Sequence, residues 1–258
     1  MSGASVLVSR EGALTLITIN RPEAHNALNP ATQLELMAAL DAFEADDGQW
    51  VAILTGAGEK AFCGGMDLKH QAAEGGLFTA PKGFGGITER PAMTKPVIAA
   101  VNGIAMGGGF EMALACDIIV AAAHAVFALP EPRVGLAALA GGIQRLPAMI
   151  GLKQAMGLLL TGRRVSAAEG LRLGFVNEVA EGDVLAAARA VAQEILACSP
   201  LAVRATKEAA LRSLHLPAEE AIAAQWQWPA MAAMLASEDA VEGPRAFAEK
   251  RRPAWRGR

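Results

Sequence analysis

Three consecutive glycines, Gly107, Gly108 and Gly109, run directly into Phe110 and Glu111 within one of the most apolar stretches of the chain. Glycine has no Cβ and takes up unusual φ values at little cost, so such a run lets the backbone turn sharply or approach another group closely. Backbone amides at the start of the helix-forming sequence that follows make a site for negative charge. A carboxylate two residues beyond the glycines is well placed for acid/base chemistry. Further on stands a second carboxylate, Glu131, between Pro130 and Pro132, which restrict the backbone on both sides. The combination points to a site that holds a developing negative charge and moves a proton beside it.

The remainder of the chain narrows the class of protein that carries such a site. Its 258 residues suit one large domain, or a core with a smaller appendage. Hydrophobic residues make up 53% and charged residues 19%, enough for a sizeable core and far from a disordered composition. A net charge of −3 offers no general attraction to nucleic acid or to a membrane surface. Cys63, Cys116 and Cys198 are widely separated, which reads as free thiols in a reducing compartment. His25, His70, His124 and His215 lack metal-ligand spacing. Met1 to Ser5 carry no basic or apolar signal region. The apolar stretch from Pro96 to Pro130 is interrupted by Asn102, Glu111, Asp117 and His124, which favours buried strands and packed helices over a membrane span. A cytoplasmic location is expected.

Periodicity supplies the elements. Val6–Val8 and Leu14–Ile19 are β-rich runs with a turn signal at Glu11-Gly12. Asn29-Pro30 starts a helix, on which Leu34, Met37, Leu40 and Phe43 recur at helical spacing. Trp50–Thr55 and Val97–Val101 are continuous apolar runs closed by Gly56 and by Asn102-Gly103, as in buried parallel strands with crossovers. Ser166-Ala-Ala-Glu169 is a capping box, and Ser199-Pro200 and Ser237-Glu238-Asp239 open further helices. From Asp183 onward the chain reads as helix, with a soft boundary near 190. The basic tail, Lys250 to Arg258, reads as solvated, with phosphate contact across a subunit interface as the alternative.

Gly56-Ala57-Gly58-Glu59-Lys60-Ala61 formally matches a dinucleotide-binding fingerprint, but Gly64-Gly65 would break the helix that fingerprint requires. Neither a phosphate-binding P-loop nor a nucleophile elbow is present in the sequence. Gly64-Gly65-Met66-Asp67 is a second tight glycine turn after a strand. Set beside Gly107–Gly109, it raises the prospect of amides from two loops converging on one oxygen, the arrangement of an oxyanion hole.

At these residues the sequence resembles the crotonase (enoyl-CoA hydratase/isomerase) superfamily. The resemblance spans nearly the whole chain: Asn20-Arg21-Pro22 with Asn26-Ala27-Leu28, Ala61–Leu68, Lys95–Gly103, Gly107–Glu111, Cys116-Asp117, Phe127–Glu131, Gly141-Gly142 with Gln144-Arg145-Leu146, Glu242-Gly243 and Ala246–Arg251. It implies an α/β fold, a spiral of ββα units over residues 1–190, with a helical region over 191–258 that builds trimers, usually stacked as hexamers. It implies an acyl-CoA substrate, and no metal or redox cofactor, nucleic acid or membrane partner.

Carried over by position, the amides of Met66 and Gly108 would grip the thioester carbonyl. Glu111 would deprotonate the water that attacks Cβ, and Glu131 would deliver a proton to Cα. Filling both glutamate positions favours hydration of a 2-trans-enoyl-CoA over Δ3–Δ2 isomerisation or dehydration of a specialised 3-hydroxyacyl-CoA. A non-enzymatic CoA- or RNA-binding scaffold has only the basic tail in its favour. CoA would lie across Ala24, Gly64, Asp67, Leu68 and Lys69, and Phe247 and Lys250 would reach a neighbouring subunit's ligand. Leu136 and Leu139 would line an apolar acyl pocket. Leu139 stands where dehalogenase-like and carnitinyl-CoA dehydratase-like members often carry aspartate, which argues against aryl dehalogenation and, less strongly, against a carnitine-type substrate. The chain contains no tyrosine, which counts against members that recruit one.

Overall fold

The computed structural model describes residues 4–258, apart from the side chains of Gln71 and Glu74. Residues 1–3, part of the segment expected to carry no targeting signal, lie outside the described residues.

An antiparallel hairpin opens the fold, with β1 (Val6–Glu11) paired to β2 (Leu14–Ile19) around Gly12. Helix α1 (Pro30–Ala45) follows, its first turn closed by the Asn29 side chain, which accepts from the Thr32 amide at 2.9 Å. From there the chain alternates between two sheets. β3 (Val51–Gly56) joins the hairpin's sheet, β4 (Ala61–Cys63) starts a second, and α2 (Leu68–Glu74) completes the turn. β5 (Val97–Val101), β6 (Ile104–Met106) and α3 (Gly108–Ala115) repeat the step. So do β7 (Ile118–Ala122) and β8 (Val126–Ala128), which lead through a short 3-10 turn, Glu131–Val134, to α4 (Gly142–Ile150). This is the expected ββα spiral.

Helix α5 (Leu152–Leu159), β9 (Val165–Ser166), α6 (Ala167–Leu173), β10 (Glu178–Ala180) and α7 (Val184–Leu196) close the core. The large sheet has the order β1-β2-β3-β5-β7-β10 and the small one β4-β6-β8-β9. Every residue of β3 and β5 is buried, as parallel strands covered on both faces must be. Phe110, Phe127 and Phe175 meet with ring centroids 5.0 to 5.3 Å apart, and so pin the back of α3 to β8.

Four more helices follow: α8 (Pro200–Ser213), α9 (Ala218–Ala224), α10 (Pro229–Leu235) and α11 (Glu238–Ala248). The boundary drawn at 190 falls inside α7, which lies against β3, β5 and β7, so the change of layer comes after Leu196. The stripe expected on α1 is buried at Leu40 and Phe43, half-buried at Met37, and misses only at its first residue. Leu34 is exposed, and the buried side is formed by Thr32, Gln33, Leu36, Leu40 and Phe43. Gln33 sets that phase, because its amide group is needed inside: it donates to the Phe78 carbonyl and accepts from the Ala80 and Gly85 amides. Among the described residues, no single helix is long and apolar enough to cross a membrane.

Candidate active site

Parallel pairing decides where the chemistry gathers. β4, β6 and β8 lie side by side and parallel, so the loops leaving their carboxyl ends emerge together. Those loops carry Met66, Gly107-Gly108 and Glu131. The Gly107 amide ties two of them by donating to the Ala128 carbonyl at 2.9 Å. Gly65, with φ +90°, makes the third approach possible: a Cβ there would stand 2.7 Å from the Met106 carbonyl oxygen and 3.3 Å from the Gly108 nitrogen.

The two amides expected to act together are left free by this geometry. Met66 forms an isolated parallel bridge with Leu28, in which Leu28 donates to Gly65 and Asp67 donates to Leu28. Those bonds flank Met66 and turn its own N–H to the opposite side. Gly108 is the first residue of α3 and has no carbonyl one turn back to bond. Among the described residues, neither amide donates to a protein acceptor.

The helix begins earlier than the sequence indicates. Gly108 and Gly109 are its first two residues, which makes Glu111 its fourth. A Cβ on Gly109 would lie 2.1 Å from the Cys63 carbonyl oxygen, and one on Gly108 would lie 2.5 Å from the Phe84 ring. Only glycine lets the first turn of α3 press against β4 and that ring.

Glu111 is buried, and its Oε1 accepts from the Gly142 amide at 2.9 Å. Burial pushes its carboxyl up to about 7, against the pull of the Gly142 and Ala140 amides and with a further push from the charge of Glu131. Glu131 opens the 3-10 turn, half-buried, and its Oε2 is shut off from solvent without a hydrogen-bond partner. Burial raises its carboxyl as well. Gly107, at φ +54°, leaves room for Glu131, whose Oε1 would be 2.9 Å from a Cβ there.

Both carboxylates and both loops face one cavity of about 250 Å³. Of the residues expected to bind substrate, Gly64, Leu68, Leu136 and Leu139 line it. Ala24 lies in the short turn Pro22–Ala24 beside Gly64, whose amide donates to the His25 carbonyl at 2.9 Å. Asp67 is engaged elsewhere, in an ion pair with Arg21 at 3.0 Å. Burial alone would raise its carboxyl, but the His70 amide and Arg21 outweigh burial and hold it low. Lys69 is exposed on α2. Phe247 and Lys250 are exposed at the end of α11 and do not line the cavity of their own chain. Cys63 lies beneath the site as a buried thiol pushed up to about 12 by desolvation, which leaves it inert as a nucleophile.

Sequence reasoning did not single out Phe84, Glu89, Thr79 and Leu77, which line the cavity from the segment before β5. The signal available was the glycine-rich run Gly83-Phe84-Gly85-Gly86, whose three glycines all adopt positive φ. Arg145 was noted only as part of a motif. Its guanidinium donates to the Thr88 carbonyl at 2.6 Å and the Ala140 carbonyl at 3.4 Å, so it binds that segment to the wall behind Glu111.

The enoyl-CoA hydratase/isomerase family model matches residues 9–258. The chain belongs to the enoyl-CoA hydratase/isomerase family. Within that family it is 45% identical to the carnitinyl-CoA dehydratase of Escherichia coli K12, over 98% of this chain and 99% of that protein. It is 46% identical to an enoyl-CoA hydratase from Mycobacterium tuberculosis H37Rv, whose crystal structure matches with a TM-score of 0.92 over 98% of this chain and 99% of that one. An enoyl-CoA hydratase from Bacillus anthracis, 35% identical, matches with a TM-score of 0.90 over 99% of this chain and 100% of that one. The chain is thus an enzyme of the crotonase superfamily with its fold. The reservation about carnitine-type substrates drawn from Leu139 runs against the name of the Escherichia coli relative.

Proposed function

We propose that the chain adds water reversibly across the double bond of a 2-trans-enoyl-CoA, giving a 3-hydroxyacyl-CoA. The observation that carries this reading is the meeting, in one cavity, of two unengaged loop amides and two carboxylates. The Met66 and Gly108 amides would hold the thioester oxygen as it gains charge, and loss of one such donor costs about 3 kcal/mol of transition-state stabilisation. Glu111, ionised and steadied by its amide donors, would take a proton from the water attacking Cβ. Glu131, protonated, would give a proton to Cα. The steps call for no group beyond the thioester, water and these side chains.

The CoA moiety would cross Ala24, Gly64, Leu68 and Lys69. Asp67 would contribute its main chain, because Arg21 holds its carboxylate. Phe247 and Lys250 would serve a neighbouring subunit's ligand in a trimer or hexamer, in the cytoplasm.

A second reading, dehydration of a specialised 3-hydroxyacyl-CoA, is favoured by the carnitinyl-CoA dehydratase relatives. It is the same chemistry run in reverse, with a different acyl group. Loss of the conjugated enoyl thioester absorbance of crotonyl-CoA tests the reaction. Hydration that survives in both Glu111→Gln and Glu131→Gln would remove the assigned mechanism, and a mild Glu111→Gln with a severe Glu131→Gln would favour isomerisation.

A further inference from the structure

We propose that Arg145 is a positioning residue for this reaction: it locks the turn whose amides hold Glu111 and sets a positive charge behind that carboxylate. This rests on the hydration reading, in which Glu111 works as the base.

Arg145 occupies a place that a cation does not take freely. It is the fourth residue of α4, yet its guanidinium folds back over the start of its own helix, into the space that Gly141, at φ +101°, leaves open. A Cβ on Gly141 would collide with Nη1. A helix start carries partial positive charge and disfavours a cation. Burial opposes the charge too, and pulls the guanidinium down from its ordinary range. Among the described residues, no carboxylate comes close enough to form an ion pair with it. Its N–H groups go to two main-chain carbonyls instead. Nη2 donates to Thr88 at 2.6 Å and Nη1 to Ala140 at 3.4 Å.

Those carbonyls lie on the two segments that meet around Glu111. Ala140 opens the turn 140–142, from which the Ala140 and Gly142 amides hold the Glu111 carboxylate. Thr88 follows Phe84, whose ring is pressed against Gly108 at the start of α3. Arg145 therefore fixes the turn against the opposite wall of the cavity. The turn has little slack, because a Cβ on Gly142 would stand 3.0 Å from the Glu111 Oε1. A small shift of the turn would change what Glu111 accepts.

The charge of Arg145 works in the same direction as those amides. Burial drives the Glu111 carboxyl up and the Gly142 amide draws it down; Glu131 then pushes it up, while the Ala140 amide and Arg145 draw it down. Glu131 faces it from the 3-10 turn, and Glu89 lines the same cavity from the segment before β5. Cys63 on β4 and Cys116 after α3 are thiols that burial keeps neutral. Among the described residues, no lysine, arginine or histidine lines the cavity. The positive charge that favours an ionised Glu111 comes from behind the wall, and a base must be ionised before it can take a proton from water.

Arg145→Gln keeps an amide donor but removes the charge and the fork. Its kcat/KM for crotonyl-CoA should fall by about tenfold on the acid side and recover toward the wild-type value at alkaline pH, because the acid limb moves up by about one pH unit. Arg145→Lys keeps the charge and should return the limb at least halfway. A loss by the same factor at every pH would mean a merely structural role and overturn the proposal. So would a lysine variant displaced as far as the glutamine one. Infrared difference spectra give a readout without turnover. The carboxyl band that is missing from Glu111→Gln should titrate about one pH unit higher in Arg145→Gln than in the wild type, and an unmoved band would overturn the proposal. Failure of the wild type to hydrate crotonyl-CoA would bring down the hydration reading, and the infrared titration would still decide whether Arg145 governs Glu111.

Discussion

Asp239 and Glu131 are both carboxylates withdrawn from solvent, one at the foot of α11 and one at the mouth of the 3-10 turn beside the cavity. Both Asp239 oxygens are used. Oδ2 accepts from the Ser199 hydroxyl at 3.0 Å and the Gly257 amide at 3.1 Å, and Oδ1 accepts from the Arg256 amide at 2.8 Å. Glu131 keeps one shielded oxygen without a partner. Natural folds satisfy nearly all buried polar atoms, so a shielded and unpartnered carboxylate oxygen calls for a reason, while a satisfied one is explained by the contacts it makes. The C-terminal helices use their carboxylate to tie the tail down, and the cavity keeps its carboxylate available for a proton and a substrate.

The contrast breaks first, and by the largest margin, at Glu131→Gln. Removing an acid/base group should lower kcat by about 10³-fold, while the thermal midpoint stays close to that of the wild type, because Oε2 has no partner to lose and the glutamine oxygen can still accept from the residue's own amide. Steady-state rates on an enoyl-CoA and a melting curve check both halves. A variant that melts early would show that Glu131 holds the fold after all.

Asp239→Ala should do the reverse. It strands the Ser199 hydroxyl and the Arg256 and Gly257 amides, at a cost of about 2–3 kcal/mol in stability. The activity of the folded fraction should be retained. Urea unfolding followed by circular dichroism gives the first quantity, and kcat/KM in dilute urea-free buffer gives the second. A kcat/KM that falls while stability holds would place Asp239 in the catalytic region rather than in the scaffold.

The satisfied half of the molecule was much the easier to read from sequence. Asn29, Ser166, Ser199 and Ser237 announce their helices, and each side chain accepts from the amide three residues on. Such caps are local, so a few consecutive residues contain the whole signal. Glu111 and Glu131 were legible through the glycines and prolines around them. The surroundings that tune them were not. Gln33 and Arg145 fix the Phe84–Glu89 segment from positions remote in sequence, and no local pattern reports contacts of that range. The one miss on α1, Leu34, has the same reason, since Gln33 faces inward to serve a distant loop. Only once β4 and β6 are paired does Met66 stand opposite Gly108.

A finer test of the same contrast is the pH dependence of stability in Glu111→Gln. Burial holds the Glu111 carboxyl at about 7 in the folded protein, above the ordinary value of 4.5 it regains on unfolding. Between these values the native state binds more protons than the unfolded one, so wild-type stability carries a contribution that is complete below about 4.5 and is lost as pH rises through about 7. Glutamine does not titrate, and its carbonyl oxygen can still accept from Gly142. The variant should therefore gain about 3 kcal/mol on the wild type across that window and level off above it. Carboxylates that do not feel Glu111 cancel in the comparison of the two proteins; Glu131, whose charge pushes Glu111 up, is the exception. Urea unfolding of both at a series of pH values measures the difference directly. A difference that stays flat with pH would mean that Glu111 is not desolvated in the way the cavity requires, and that the amides of Gly142 and Ala140 satisfy it as fully as Asp239 is satisfied.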